Sequence, residues 1–574
     1  MIQAEIVSHN RVPETVEELR LLVQSQQKQL ETLRAYYVQE LQSLKEQLEA
    51  LEKLGKGFEV ENQILREKIK ELTRRLFGRK SEKNALDDTL AQMSLFTDDV
   101  EVGVKEAGID EVEETEETIT IPAHKRKKGG RKPLPVELPR VEIIRDLSAE
   151  EKQCACGCEM SCIGEEVSEK LEMLPPQMWV VREVRYKYAC KHCEGVESDE
   201  DAVKIAPLPP QIVPKSIATP SLLAHVLISK FADSLPFYRQ EKLFSRYGIE
   251  IPRSKMCHWA FHVSDKLKKL LEILWLELRS GPYLSVDETT VQVLNEPGRR
   301  ASNKSYMWVI RSGPPGQKIV LFHYSPSRGR EVARRLIGNF QGYVQTDGYG
   351  SYDFLDSCEG IVHVGCWAHV RRKFVEVAKL YPSNNKKSGG SGKAGHAIQT
   401  IGKLYRLEDE ARKNNLTAQE IYRLRQSEAK PIVEEFKEWL QTNVADIPPN
   451  SALGSAFIYA LHQWPRLINY LESGVVPIDN NLTENAIRPF VVGRKNWLFS
   501  DQPKGAHASA IFYSLIETAK GNGLEPYAYF LYLLDRLPFA STENDLKKLL
   551  PTCISPERLT EFKADYWMKY NGHS

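Results

Sequence analysis

Apolar positions between residues 14 and 75 recur every seven residues: Val16, Val23, Leu30, Tyr37, Leu44, Leu51, Phe58, Leu65 and Leu72. A strict seven-residue period kept through so many turns predicts one long helix that supercoils with a partner. The competing arrangement is a lone helix packed on the protein's own body. The companion seam shifts midway. Leu19 and Leu33 fall three residues after members of the series, whereas Leu41, Leu48 and Ile69 fall three before them, the mark of a stutter. Asn62 lies on the second seam, where a polar residue fixes register and strand number.

Past the basic cluster Arg74–Lys83 the apolar pattern lapses. A stretch with Asp98, Asp99, Glu101, Asp110, Glu111, Glu113, Glu114, Glu116 and Glu117 reads as a solvated linker. The segment from Glu165 to Ala189 alternates like the strands of a small ribbon. From about residue 215 to 278 the period becomes helical, with a break at Gly248, an extended GIEIP and a second helix expected to start near Ser254 as N-cap. Tandem helices around a tight glycine turn admit a helix-turn-helix reader with Arg253, Lys255 and His258 at its leading end, or plain helical packing. Three apolar runs then follow, YLSVDETTVQVL, SYMWVIRS and KIVLFHYS, an antiparallel meander. REVARRLIGNF reads as a helix, GYVQTDGY as a fourth strand, IVHVGC as a fifth and WAHVRRKFVEVAK as a helix. The sequence from there to about residue 475 is mostly helical, with a Gly- and Lys-rich tract at Asn384–Gly395.

Composition adds little to this picture until it is resolved along the chain. Length of 574 residues implies several domains. The 78 basic and 78 acidic residues cancel, so any attraction for a polyanion must be local. One local excess is Lys125, Arg126, Lys127, Lys128, Arg131 and Lys132 around a Gly-Gly pair, similar to extended arms that enter an A·T-rich minor groove. A solvated linker is the plainer reading of the same residues. Neither a run of eighteen apolar residues nor a signal peptide is present, so the expectation is a cytoplasmic, nucleoid-associated protein of a bacterial cell with no membrane association. Of ten cysteines, five crowd into CACGC (Cys154, Cys156, Cys158) and YACKHC (Cys190, Cys193). Two such pairs about thirty residues apart suit a structural zinc site with four thiolates. Cys154 and Cys156 are expected to join Cys190 and Cys193, with Cys158 as the substitute.

Three acids stand out against these elements. Asp287 lies within the first strand of the meander, Asp347 at the end of the fourth strand, and Glu484 in a helical stretch rich in cations, IDNNLTENAIRPFVVGRKNW. A lone Asp at a strand end is commonly a turn former, and Glu484 alone would pass as a capping or surface residue. Together they suit a pair of Mg²⁺ or Mn²⁺ ions that clamp a phosphodiester. Alternation places Glu288 on the opposite sheet face and excludes it; Asp479 is the rival third ligand. The strand order matches a ribonuclease H-like fold, whose first and fourth strands are neighbours. Arg488, Arg494 and Lys495, with Arg371 and Arg372 after the fifth strand, suit DNA phosphates. Trp497 suits stacking on an unpaired base, or core packing. His369 has a structural reading and a phosphate-contacting one.

The motifs LFGRKSEK, GGRKPLP, RYKYAC, VDET, TDGYGSY, GCWAHVRRKF, IDNNLTENAIRPFVVGRKNWLF and SLIETAKGNGLEPYAYFLYLL occur in this order over nearly the whole chain. In this the chain resembles a DDE transposase of the insertion sequence 66 family. The CACGC spacing departs from the expected C-x-x-C-G. The resemblance implies an acidic triad at Asp287, Asp347 and Glu484, and an insertion domain between the last two. It implies cleavage at the terminal inverted repeats of an insertion sequence and strand transfer into target DNA. Partners implied are those two DNAs, a second copy of the chain, and two small accessory proteins of the same element. The alternatives are a catalytically silent DNA-binding regulator derived from a transposase, and a nuclease of the same fold. The expected fold class is multidomain α+β. Its parts are a coiled coil (1–83), a charged linker with the basic patch (84–140), a zinc-binding module (141–212) and a helical DNA-binding region (213–279). A ribonuclease H-like core in two parts (280–380 and 476–535) encloses a helical insertion (381–475), and a tail follows (536–574).

Overall fold

The computed structural model describes residues 15–77, 178–189, 203–312, 318–380 and 392–571. The chain divides into two compact units, Met1–Asp98 with Pro210–Ser574, and Asp99–Pro209. In the second unit β1 (Lys187–Ala189) pairs antiparallel with β2 (Val203–Ile205), Lys187 opposite Ile205. Arg185 closes the ribbon by donating from Nη1 to the carbonyl of Ala206, 3.0 Å. The ribbon therefore pairs across the second cysteine group instead of lying wholly before it, and residues 178–186 form no strand. Cys154, Cys156, Cys158, Cys190, Cys193 and the patch Lys125–Lys132 lie outside the described residues.

In the first unit the heptad segment is a single helix, α1 (Val16–Phe77), 62 residues long. Its seam residues face outward: Leu30, Leu44, Leu51 and Phe58 are each more than half exposed, as are Leu41 and Leu48 of the companion seam. Among the described side chains of α1 only Glu67 is buried, its Oε2 accepting from the amide of Ala452 at 3.1 Å.

The helical region following β2 holds three helices, α2 (Pro220–Phe231), α3 (Phe237–Arg246) and α4 (Arg253–Arg279). The α2–α3 break falls at Ser234, in a left-handed conformation at φ 58°. The second expected helix begins at Arg253 with Pro252 at the cap, not at Ser254. Its first amide is satisfied by a tertiary partner, Oε1 of Glu241 on α3, at 3.1 Å. Arg253, Lys255 and His258 are exposed.

The sheet comprises β3 (Tyr283–Gln292), β4 (Lys304–Ser312), β5 (Ile319–Ser325), β6 (Gly342–Gln345) and β7 (Ile361–Val364), with α5 (Arg330–Ile337) between β5 and β6. The order is β5-β4-β3-β6-β7. The meander β3–β4–β5 is antiparallel, and β6 and β7 join β3 in parallel. Tyr283 to Val286 are buried on both faces, as a central strand requires. After β7 come α6 (Trp367–Leu380), α7 (Lys393–Lys413), α8 (Ala418–Leu424), α9 (Lys430–Val444) and α10 (Ala452–Leu467). The chain ends with α11 (Asn481–Trp497), α12 (Pro503–Gly521), α13 (Pro526–Arg536), α14 (Glu543–Lys547) and α15 (Pro556–Asn571).

Two hydrophobic cores result. One joins α2–α4 and α11–α13 to the sheet through residues such as Leu267, Leu274, Val309, Leu321, Phe512 and Leu515. The other fills the helical insertion around Trp367, Phe374, Phe436 and Phe457. The edge strand β5 is not left open. Ser514, Thr518 and Asn522, spaced four apart at and just beyond α12, hydrogen-bond its backbone. Ser514 accepts from the amide of Phe322 at 2.8 Å, and Thr518 both accepts from the amide and donates to the carbonyl of Val320, at 3.1 and 3.0 Å. Asn522 does the same for Lys318, at 3.1 and 2.7 Å. A helix thus covers the edge that would otherwise pair with another chain.

Candidate active site

The parallel register of β3 and β6 aligns Ser285 with Gln345. Two residues further along each strand come Asp287 and Asp347, at matching positions just past the point where β6 stops pairing. Adjacent strands run about 4.8 Å apart, so this register alone sets the two acids side by side. Where β6 leaves, α11 arrives. Asn480, at its N-cap, donates from Nδ2 to the carbonyl of Val286 at 3.2 Å. Further along α11, Nη1 of Arg494 donates to the hydroxyls of Thr290 and Thr289 on β3 at 3.1 and 3.3 Å. These contacts lay α11 along β3 with Glu484 in its first turn.

The electrostatics agree with this convergence. Burial pushes the Asp287 carboxyl well above the usual range, and Glu288, Asp347 and Glu484 push it further. Its Oδ1 accepts from the amide of Glu288 at 2.8 Å. Asp347 is held at the turn: Oδ1 accepts from the amide of Tyr349 at 2.9 Å, and its carbonyl accepts from the Tyr459 hydroxyl of α10 at 3.1 Å. Oε2 of Glu484 accepts from Nη2 of Arg372 at 3.3 Å. Oε1 is buried without a hydrogen-bond partner, with Nε2 of His369 3.8 Å away. Among the described residues no three acidic, His or Cys side chains close around a common ion position. The donor set is nonetheless all carboxylate oxygen, with an orphaned oxygen on Glu484 and mutual repulsion at Asp287. That set fits a hard divalent cation.

Asp479 is engaged elsewhere. It is buried and accepts from the Tyr405 hydroxyl at 2.8 Å and from the amide and side chain of Asn481 at 3.0 and 2.7 Å. Burial pushes its carboxyl up to about 6. Asn480 rather than Asn481 holds the N-cap, so Glu484 lies one position deeper than a capping box requires.

The cations sort into two groups. Arg488 and Lys495 are exposed along α11, Arg372 in the second turn of α6 bonds Glu484, and Arg371 beside it is half-buried. Arg494 instead fastens α11 to β3. Trp497 lies against the core, 5.6 Å edge-on from Phe490 and 5.8 Å from Nζ of Lys230. That position supplies packing. Half-buried His369 accepts from Nη1 of Arg372 at 3.3 Å, which leaves its proton on Nδ1, and burial lowers its affinity for a second one.

Sequence reasoning missed the residues that brace the turn. Thr346 contacts Nε2 of His363 at 2.8 Å, and Nδ1 of His363 meets Asp356 at 2.6 Å. Arg466 of α10 reaches Asp353 at 2.8 Å and also bonds Asp356. Arg328 reaches Glu288 and Asp347. His363 and Arg466 stand out only as polar residues within apolar runs, and Arg328 in the polar loop SPSRGR leaves no signal.

Comparison with known proteins decides the lineage. A family model described as "Transposase IS66 family" matches residues 215–508, half of the chain. The chain belongs to the IS66 transposase family. Further models of the same family match in order: "Transposase C of IS166 homeodomain" at 64–143, "zinc-finger binding domain of transposase IS66" at 151–194, and "IS66 C-terminal element" at 514–552. The zinc-finger match spans both cysteine groups and supports zinc binding there. Two similar proteins come from Sinorhizobium fredii (strain NBRC 101917 / NGR234). The uncharacterized protein y4jD is 34% identical over 431 residues, 73% of this chain and 81% of its own. The uncharacterized protein y4qI is 30% identical over 510 residues, 86% of this chain and 89% of its own. Membership of the IS66 family implies a transposase that acts on DNA. No helix among the described residues is long and apolar enough to cross a membrane.

Proposed function

We propose that this IS66-family chain binds the terminal inverted repeats of its element, cleaves the strand at the element's end and joins it to target DNA, with Asp287, Asp347 and Glu484 as the catalytic acids. The observation that carries the reading is the register placing Asp287 beside Asp347, with Asp347 and Glu484 both raising the proton affinity of Asp287. The order β5-β4-β3-β6-β7, with three antiparallel strands and two parallel ones, supports a ribonuclease H-like core. Two Mg²⁺ or Mn²⁺ ions, when bound, supply Lewis-acid stabilisation of the attacking and leaving oxygens.

The chain's own residues do the rest. Asp287, Asp347 and Glu484 would hold the ions through their carboxylate oxygens, with Asp287 feeling the charge of both other acids. Arg372 sets the Glu484 carboxylate from α6. Arg488 and Lys495, exposed on α11, position backbone phosphates. Water attacks the phosphodiester at the element's end and expels its 3′-oxygen, leaving a 3′-hydroxyl and a 5′-phosphate. That hydroxyl then attacks a target phosphodiester and expels the target's 3′-oxygen, without a covalent protein intermediate. The uncovered seams of α1 support pairing with a second copy, as synapsis of two ends requires, and the cysteine module supports a structural zinc.

The deciding experiment incubates a labelled duplex bearing the element's end with full-length protein and Mg²⁺ or Mn²⁺. Wild type runs beside Asp287→Asn, Asp347→Asn and Glu484→Gln. Metal-dependent cleavage and joining, lost in all three variants that still bind, is expected. Joining retained by Asp287→Asn would sink the triad. Cleavage without joining would favour a nuclease, and binding alone, even with the element's accessory proteins added, a regulator.

A further inference from the structure

The turn that carries Asp347 is fastened to β3 by an arginine from a third place in the fold. Arg328 lies in the loop between β5 and α5, immediately before the cap residue Gly329. Its Nε donates to Oε1 of Glu288, and Oε2 of Glu288 accepts from the hydroxyl of fully buried Tyr352. The Glu288 side chain is only 1% exposed, so this carboxylate is an immobile anchor that gives the guanidinium one orientation. From there Arg328 lies 3.7 Å from the centroid of the Tyr349 ring, and its Nη2 approaches Oδ2 of Asp347 at 3.9 Å. The amide of the same Tyr349 holds the other oxygen, Oδ1, at 2.9 Å. Both oxygens of Asp347 are therefore referred to one rigid group built on Glu288, the residue next to Asp287.

We propose that Arg328, anchored by Glu288, is a positioning residue of the acidic site. It fixes the carboxylate of Asp347 and thereby its separation from that of Asp287. The proposal rests on the reading of these two acids as metal ligands. It also differs in sign from the simple electrostatic alternative. A positive charge beside Asp347 repels a divalent cation, so removing a mere counter-ion would tighten metal binding. Removing an orienting group weakens it; loss of an outer-shell partner costs about 10–100-fold, and an ion pair at 3.9 Å belongs at the low end of that range.

The test is Mn²⁺ binding to the full chain without DNA, read from the electron paramagnetic resonance signal of free Mn²⁺, with Asp287→Asn as the reference for site binding. Arg328→Ala and Glu288→Gln are expected to weaken Asp287-dependent binding about tenfold. Arg328→Lys should recover only part, since one ammonium cannot serve two carboxylates and stack on a ring. Glu288→Gln also removes a negative charge beside Asp287, which by itself weakens cation binding. Arg328→Gln, which discards the positive charge and keeps a donor towards Glu288, therefore decides the sign should Arg328→Ala fold poorly; it too is expected to weaken binding. Binding by these variants equal to or tighter than wild type overturns the positioning role alone. Wild-type protein without Asp287-dependent Mn²⁺ binding overturns the metal reading, and the positioning role with it.

Discussion

Gly348 follows Asp347 directly and holds φ at +82°, and a Cβ there would lie 2.9 Å from Cδ of Gln463. Two penalties attach to Gly348→Ala. A left-handed backbone costs an ordinary residue about 1–2 kcal/mol. The clash adds a second cost, because Gln463 is buried and its Oε1 accepts from Nη1 of Arg466 at 3.3 Å. Forcing such a side chain off its rotamer adds about 0.5–1.5 kcal/mol. The turn cannot simply drift outward either, since the Tyr459 hydroxyl holds the carbonyl of Asp347. Gly523 provides the control. Its φ is +75° and nothing lies within 4 Å of its Cβ position, so Gly523→Ala carries the backbone penalty without the clash. Both variants should lose stability, Gly348→Ala more. Only Gly348→Ala should lose single-turnover cleavage of a labelled element end, by about 100-fold, the cost of a reacting group displaced by about 1 Å. Unfolding followed by tryptophan fluorescence gives the stability of each. If Gly348→Ala cleaves within about threefold of Gly523→Ala, a difference under about 1 kcal/mol in barrier, the geometry of this turn does not govern the site.

Two further outcomes follow from buried polar groups. Thr518→Val keeps side-chain volume but strands the amide and carbonyl of Val320 at the covered edge of β5. At about 1–3 kcal/mol for each of the two buried unpaired groups, the loss should reach about 2–6 kcal/mol. Faster amide exchange across β5, followed by mass spectrometry, checks it, and unchanged protection would show that α12 does not cap the edge. Asp479, pushed up to about 6 by burial, holds its proton in the folded state to higher pH than in the unfolded chain. Its contribution to stability is thus full below the unfolded value of about 3.9 and is lost as pH rises through the folded one. Asp479→Asn should gain on wild type progressively between about pH 4 and pH 6 in denaturant unfolding, and a constant difference across that window would refute the assignment.

What could be read from the sequence was local. Each strand of the sheet announced itself as an apolar run, and each acid stood at a recognisable break in such a run or at the head of a cationic helix. The errors came where a tertiary partner replaced a local one. Ser254 looked like an N-cap, but Glu241 from α3 satisfies the first amide of α4 and moves the start to Arg253. The ribbon of the cysteine module was sought before Cys190, but β1 pairs with a strand beyond Cys193. Glu288 was set aside by alternation, yet its buried carboxylate still raises Asp287 and anchors Arg328 from forty residues away. The stripe Ser514, Thr518, Asn522 has helical spacing in plain view, but only the nearness of β5 gives it a purpose. The long helix shows its seams without showing what covers them, and Leu30, Leu44, Leu51 and Phe58 stay exposed.

The same division separates the roles within the site. A metal-binding carboxylate needs only a strand end or helix start that reaches the right edge of the sheet, so its position leaves a local imprint. The groups that restrain it are whichever side chains the fold brings alongside: Arg328 from the loop after β5, Tyr459 and Gln463 from α10, Asn480 from the entry to α11. None needs a fixed spacing from the acid it serves. Substituting Asp287, Asp347 or Glu484 therefore tests the chemistry. Substituting Gly348, Arg328 or Glu288 leaves every proposed ligand in place and tests whether the chemistry depends on their geometry. If the acids are metal ligands, the second set must weaken metal binding or cleavage while the carboxylates remain, and that dependence is what distinguishes a built site from three acids that merely lie near one another.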